Sequence, residues 1–202
     1  MSLTDEIPGL AAEMEREQTV RAASLLDTII LCGLPCRQLS IRTHTLLKAS
    51  GSPFITGEGV PSPQDVAVFL WMHSLDYEPG NEAKRVRWVK RHVRPLITGG
   101  KYAWCVSEIC THLGNTFMDS PGSGRQDGKV YFLGSAALVD QVASEYGWTD
   151  EFIMGLPIAR LFQYQRAMRK RYDPRAPLSN PSDRLISEHL QARMRAAAPK
   201  PN

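Results

Sequence analysis

The segment that begins at Ser62 is the part of this sequence whose secondary structure is most tightly constrained. Ser62 is a preferred N-cap residue, and Pro63 suits the first helical position because no amide donor is needed there. Apolar residues follow at the three- and four-residue spacing of one helix face, at Val66, Phe69 and Leu70. This combination predicts a helix with a defined start and one buried face.

Similar starts and stops recur and divide the chain into short amphipathic helices. Thr28 to Leu31 and Val130 to Leu133 are short runs that could be strands, and Gly33-Leu34-Pro35 is predicted to break the first. We therefore predict an all-α fold, a compact bundle of about seven to eight helices with at most one or two short strands. The predicted N-caps are Ser40, Ser62, Asn81, Ser135, Thr149 and Ser182.

One stretch stands out as a candidate boundary within the 202 residues. Asp119 to Lys129 holds three glycines and one proline, a composition typical of loops. We divide the chain there into an N-terminal helical region, 1–118, and a C-terminal helical region, 119–202. A chain of this length suits one domain, so we expect the two regions to pack together.

The overall composition excludes several classes of protein. Hydrophobic residues make up 43% and charged residues 22%, which is ordinary for a globular domain. No apolar run approaches the roughly 20 residues that span a bilayer, and Met1 to Asp5 lacks the basic start of a signal peptide. We expect a cytoplasmic protein with no membrane partner, whose four cysteines are thiols.

The net charge of +3 hides an uneven distribution. Met1 to Asp27 carries six acids against two arginines, whereas Lys84 to Arg94 carries six lysines and arginines and no acid. Arg160 to Arg175 carries six more basic residues against one acid. Such stretches are either solvated helix faces or surfaces that meet phosphate or an acidic protein.

The Lys84 to Arg94 stretch reads as a helix whose apolar residues face inward and whose basic residues face outward. Like charges so close together repel one another, so we expect an acidic counterpart. The candidates are the acidic Met1 to Asp27 segment of the same or another copy of the chain, and an acidic client protein. The predicted inward stripe is Val86, Val89, Val93 and Leu96, closed by Pro95 and Gly99-Gly100.

No enzyme signature emerges from the nucleophilic and metal-binding residue types. A zinc site from Cys32-x3-Cys36 and Cys105-x4-Cys110 is conceivable, but the second spacing is at the edge of the usual range. Either of the latter cysteines could also pair with His112 as nucleophile and base, although cysteines on an apolar helix are usually core residues. The sequence therefore predicts no catalytic residues, no cofactor and no metal.

The aromatic residues are more informative than the cysteines. Most of them, Trp71 and Trp148 included, should be core residues, but an exposed Trp or Tyr would anchor a protein interface. Together with the basic stretches they define the candidate partner-binding residues. These are Arg87, Arg91, Trp148, Phe152, Arg160 and Tyr164.

Two segments, covering roughly a fifth of the chain, have a family resemblance. Ser52 to Ile55 followed by Pro61 to Trp71 resembles a stretch of small proteins from the tail modules of tailed bacteriophages. Tyr146 to Ile153, followed by Leu156 to Arg160 and Gln163-Tyr164, resembles the helical ending of phage tail assembly chaperones. In that ending a Gly-Trp turn precedes an acidic helix start, and a Leu-Pro segment precedes a long helix.

The resemblance implies a non-enzymatic phage tail morphogenesis protein in the host cytoplasm. A tail assembly chaperone would bind the tape-measure protein, a long helical client, until the tail tube polymerises around it. A structural tail component and a nucleic-acid-binding regulator that uses the basic helices are the alternatives. Self-association into a homo-oligomer stays open.

Overall fold

The computed structural model describes residues 3–118, 125–126, 129–130, 135–174 and 181–197, and these are mostly helical, as predicted. Within these ranges no helix is long and apolar enough to cross a membrane. The helices are α1 (Leu3–Glu6), α2 (Leu10–Ala23), α3 (Ile41–Ala49), α4 (Pro53–Thr56), α5 (Pro63–His73), α6 (Glu82–Trp88), α7 (Arg94–Leu96), α8 (Tyr102–Thr116), α9 (Ser135–Tyr146), α10 (Asp150–Gly155), α11 (Ile158–Tyr172) and α12 (Pro181–Ala197).

The helix count in these ranges exceeds the predicted seven to eight because of four short segments. The segments α1, α4, α7 and α10 are three to six residues long. Helices of one turn or so show no apolar periodicity over a longer window, which is why the sequence pattern misses them.

Four of the predicted N-caps are confirmed, whereas Ser135 is the first residue of α9 and Ser182 the second residue of α12, so neither precedes its helix as predicted. The hydroxyl oxygen of Ser62 accepts a bond from the amide of Asp65, whose carboxylate in turn accepts one from the amide of Ser62. This reciprocal capping box satisfies two donors that the first turn of α5 would otherwise leave unpaired. The side chains of Ser40, Asn81 and Thr149 each accept a bond from a first-turn amide of α3, α6 and α10, without the reciprocal bond that completes a capping box.

A β-hairpin forms around the predicted break after Leu31. Strands β1 (Thr28–Leu31) and β2 (Leu34–Arg37) pair antiparallel. The first run therefore ends at Leu31 and Gly33 lies in a turn, as predicted, but Leu34 and Pro35 belong to a second strand. Cys32 and Gly33 form the two-residue turn with φ of 52° and 75°, and two positive φ angles are what a type I′ hairpin turn requires. The short segments β3 (Arg125–Gln126) and β4 (Lys129–Val130) also pair.

The predicted number of strands was therefore too low, since the described residues hold four strand segments rather than one or two. β3 and β4 lie inside the predicted Asp119 to Lys129 loop and at its end. The rest of that loop, and 131–133 of the second predicted strand, lie outside the described residues.

Helix α5 supplies much of the core. Val66, Phe69, Leu70, Trp71 and His73 are all buried, and α5 packs against α3, α8 and β2. The Phe69 ring stacks on the His73 ring with centroids 4.2 Å apart. One face of the Ser62 helix is thus buried as the apolar spacing predicts, which leaves its other face available.

The helix that contains Lys84 to Arg94 continues past Pro95, where the sequence predicts that it ends. α6, α7 and α8 are joined by π-helical turns at Val89–Val93 and Ile97–Lys101, so Pro95 and Gly99 do not close it. A proline removes one backbone donor, and a wider turn absorbs this without ending the helix. Gly100 takes φ 77°, which kinks the helix before α8.

The two predicted regions of the chain are connected through side chains. The amide of Ser182 on α12 donates to the buried carboxylate of Glu17 on α2 over 2.8 Å. The amide of Gln163 on α11 donates to the hydroxyl of Ser24 over 2.7 Å. These bonds tie the C-terminal helices to α2, and the division at residue 118 stays a prediction.

Candidate partner-binding site

A groove of about 500 Å³ runs between α5 and the helical segment Glu82–Lys101, and we name it the α5 groove. Its volume lies in the range of about 300–1,000 Å³ that is usual for binding pockets. Most of its surface is apolar, and its charged lining residues are all basic. The apolar side chains are those of Ala67, Val68, Val86, Val89 and Ile97, and the basic ones are those of Arg85, Lys90 and Arg94.

The α5 side of the groove exists because α5 is apolar on more than one face. Phe69 and Leu70 are fully buried in the core. Ala67 and Val68 are only partly buried and line the groove instead. An apolar stripe wider than the core needs leaves hydrophobic surface for another contact.

The opposite wall departs from the predicted inward stripe of the basic helix at Val86 only. Val93 is buried as predicted, and Val89 and Leu96 are partly buried against the core. Val86 is instead 54% exposed, and Trp88 is buried. The Trp88 ring packs near that of Trp71, with centroids 5.6 Å apart. The π-helical turn explains the difference, because it spaces equivalent residues five apart rather than three or four. Val86 is therefore left to the groove, and Val89 lines the groove while also packing against the core.

The basic residues of this wall are only partly neutralised. Arg85 pairs with Glu82 at 2.6 Å, and Lys84 pairs with Glu78 at 3.4 Å. Lys90 and Arg94 are exposed, and none of the ion pairs formed within the described residues includes either of them. The groove thus places apolar surface beside uncompensated positive charge.

The acidic N-terminal helix does not supply the expected counterpart. Glu13 pairs with Arg16 at 2.6 Å, and this contact lowers the pKa of the Glu13 carboxyl. The carboxylate of Glu17 accepts bonds from Arg21 and from the Ser182 amide. Within the described ranges no ion pair links α2 to the Lys84 to Arg94 stretch. An acidic client remains as the counterpart to be tested.

Arg87 and Arg91 lie on the same basic helix but outside the α5 groove. Both are exposed, and neither is among the groove's lining residues. The Nε of Arg87 donates to the carbonyl oxygen of Ala83 over 3.3 Å. Their predicted role in partner binding stays a prediction.

The structure brings the predicted aromatic residues of the C-terminal region together. The Trp148 ring meets Tyr164 edge-on at 5.0 Å and Phe152 edge-on at 5.4 Å between centroids. Tyr146, which the sequence analysis did not single out, stacks on Trp148 at 4.9 Å. Trp148 is partly buried and packs against the core, in line with the expectation, whereas Phe152 is 52% exposed. This aromatic cluster is a second apolar surface, of which Phe152 is the exposed member.

Arg160 is engaged elsewhere. Its guanidinium donates to the carbonyl oxygen of Leu25 over 2.7 Å, just beyond the end of α2. A positively charged donor at a helix C-terminus satisfies a carbonyl that the helix leaves unpaired. The described contacts of Arg160 therefore hold α11 against α2 rather than extend the aromatic cluster.

The cysteine and histidine residues considered for chemistry are mostly buried. Burial raises the pKa of the Cys36 thiol to about 12 and also raises that of the Cys105 thiol, so both are protonated at neutral pH. Burial lowers the pKa of His112 to about 4. Among the described residues no group of three or more His, Cys, Asp or Glu side chains is placed to hold a metal ion.

The α5 groove is absent from the predictions made above, although the sequence contains a signal for it. Ala67 and Val68 lie off the apolar stripe of α5, and this second apolar face indicates a further contact. The position of Lys90 and Arg94 beside Val86 could not be predicted in the same way, because it depends on the π-helical turns.

Comparisons with protein-family models, with curated proteins and with solved structures return no match for this chain. The assignment of a function therefore rests on the surfaces described above.

Proposed function

We propose that this protein is a non-enzymatic binding protein that holds a helical segment of another protein in the α5 groove. The groove itself, with its exposed apolar lining, is the observation that carries this proposal. In helix-in-groove recognition an amphipathic helix lays its apolar face into such a groove. The biological form we favour is a tail assembly chaperone that binds a tape-measure client.

The energetics of the groove support such a role. Val86 leaves about half of its surface in water, at a cost of about 25 cal/mol for each Å² of apolar area. A client helix would remove this area from water together with its own apolar face. Many copies bound along one long client would add avidity, so modest affinity at each groove suffices.

The two segments that resemble phage tail proteins contribute residues to the α5 groove and to the aromatic cluster. The first resembling segment, Pro61 to Trp71, contains the part of α5 that lines the groove. The second, Tyr146 to Ile153, carries three members of the aromatic cluster. Both segments that resemble phage tail proteins therefore expose apolar side chains, which supports a tail-morphogenesis role over an unrelated binding function.

A capture experiment with a matched pair of valine variants tests the proposal. Val86 lines the groove, whereas Val60 is 87% exposed and lies outside it. Val86→Asn should abolish capture of a tape-measure fragment at micromolar concentration, because it puts an amide in the apolar lining. Val60→Asn should capture the fragment as the original protein does. Absence of binding by the original protein contradicts the tape-measure client.

Nucleic-acid binding is the second candidate, and the exposure of Arg87 and Arg91 outside the groove favours it. Affinity for DNA would then fall steeply with salt, by roughly one log unit per log unit of salt for each phosphate contacted. Arg87→Glu combined with Arg91→Glu would remove most of that dependence. Binding that is absent or independent of salt contradicts this candidate.

A further inference from the structure

The charges around the α5 groove are arranged on one side only. Arg85, Lys90 and Arg94 all belong to the helical segment Glu82–Lys101. The lining residues from α5 carry no charge, and no acidic residue lines the groove within the described part of the chain. A ligand in the groove therefore meets positive charge along one flank and an apolar surface along the other.

We propose that the α5 groove selects an acidic amphipathic helix whose carboxylates run along one flank of its apolar face. This inference rests on the proposed helix-binding function and names the chemistry of the client. The apolar face contacts Ala67, Val68 and Val86, and the carboxylates contact Lys90 and Arg94. Glu and Asp three or four residues apart share one side of a helix, as this arrangement requires.

Electrostatic complementarity favours this client over the other occupants. Lys90 and Arg94 are four residues apart and repel each other, so a carboxylate between them relieves an existing cost. A basic helix would add to that repulsion. A nucleic acid would satisfy the two cations but would leave the apolar lining in water.

The acidic helix α2 of a second copy of this chain is already engaged. It contains Glu17, which is 2% exposed and is bonded within its own chain to Arg21 and to Ser182. Glu13 on the same helix is paired with Arg16. Presenting these carboxylates to another copy would break the contacts that hold α12, so a different protein is the better fit.

The test uses two synthetic helical peptides that differ only in charge. Each has about 18 residues, about 27 Å of helix, with leucines on one face and either glutamates or lysines along one flank. Binding of the full chain is followed by fluorescence anisotropy at about 0.05 M and about 0.5 M salt. We expect the glutamate peptide to bind at least roughly tenfold more tightly at low salt, and the difference to shrink at high salt.

Two double variants of the protein locate the effect. Lys90→Glu combined with Arg94→Glu changes the groove. Arg169→Glu combined with Lys170→Glu makes the same charge change on α11, where both residues are exposed and neither lines the groove. The groove variant should lose roughly tenfold or more in affinity for the glutamate peptide and gain affinity for the lysine peptide. The control variant should stay within roughly twofold of the original protein.

The outcomes separate the two levels of the proposal. If both peptides bind equally and Val86→Asn weakens both, the groove binds helices but the selection for acidic ones is wrong. Equal loss in the two double variants also overturns that selection, since it indicates a general charge effect. If neither peptide binds at micromolar concentration, helix binding by the groove fails as well.

Discussion

At the scale of single residues, two histidines with lowered pKa values make the free energy of unfolding depend on pH. His73 donates from Nδ1 to the carbonyl oxygen of Phe69 over 2.8 Å, and its ring lies edge-on to that of His112 at 6.1 Å. Burial lowers the pKa of His73 to about 3 and that of His112 to about 4. Both rings are therefore neutral in the folded protein at ordinary pH.

This predicts that acid destabilises the fold. In the unfolded chain these two histidines take up protons near pH 6.5, whereas in the folded chain they do so only near their lowered pKa values. Their contribution to the free energy of unfolding is therefore fully present above pH 6.5 and is lost as the pH falls below it. Each histidine contributes a slope of up to about 1.4 kcal/mol per pH unit between pH 6 and 5. Urea unfolding of the protein and of His112→Gln at these pH values measures it. The slope should decrease in His112→Gln, and an unchanged slope in that variant contradicts the account.

The capping box of α5 gives a second prediction at this scale. Ser62→Ala should lower the free energy of unfolding by about 1 kcal/mol, because the Asp65 amide loses its acceptor. Asp65→Ala should cost a similar amount, and the double variant less than the sum, since the two side chains act together. Thermal or urea unfolding measures the three values. Additive effects, or no effect of Ser62→Ala, would mean that the cap is not formed in solution.

At the scale of elements, the glycine pair before α8 separates conformation from packing. Gly100 has φ 77°, Gly99 does not have a positive φ, and a Cβ at either would meet no atom within 4 Å. Gly100→Ala should therefore destabilise by about 1–2 kcal/mol, whereas Gly99→Ala should be neutral or slightly stabilising. Unfolding experiments on both variants compare them. Equal effects would show that the kink at Gly100 is absent.

Elements with a local chemical signature were predictable, and those that depend on the path of the backbone were not. Ser40, Ser62, Asn81 and Thr149 start helices because their side chains bond the neighbouring backbone. The π-helical turns around Pro95 have no comparable signature, since proline normally indicates an end. The contact of Trp148 with Tyr164 joins the residues just before α10 to α11 across the Leu156-Pro157 turn, so sequence spacing does not predict it, and the α5 groove depends on the π-helical turns.

At the scale of the whole molecule, the buried carboxylate of Glu17 holds the last helix in place. Glu17→Ala should cost roughly 2–3 kcal/mol, because the buried Ser182 amide and Arg21 lose a charged acceptor. Glu15→Ala, an exposed neighbour on α2, should cost little. Hydrogen exchange should accelerate in α12 for Glu17→Ala and stay slow in α5. Unchanged exchange in α12 would mean that other contacts hold this helix.

The central claim is that an acidic amphipathic helix occupies the α5 groove, and methyl NMR of the full chain tests it most directly. With valine methyl groups labelled, the glutamate-flanked peptide should shift the signals of Val68, Val86 and Val89. The signal of Val60, outside the groove, should not move. Shifts that leave the three groove valines unchanged while the peptide is bound would contradict the account.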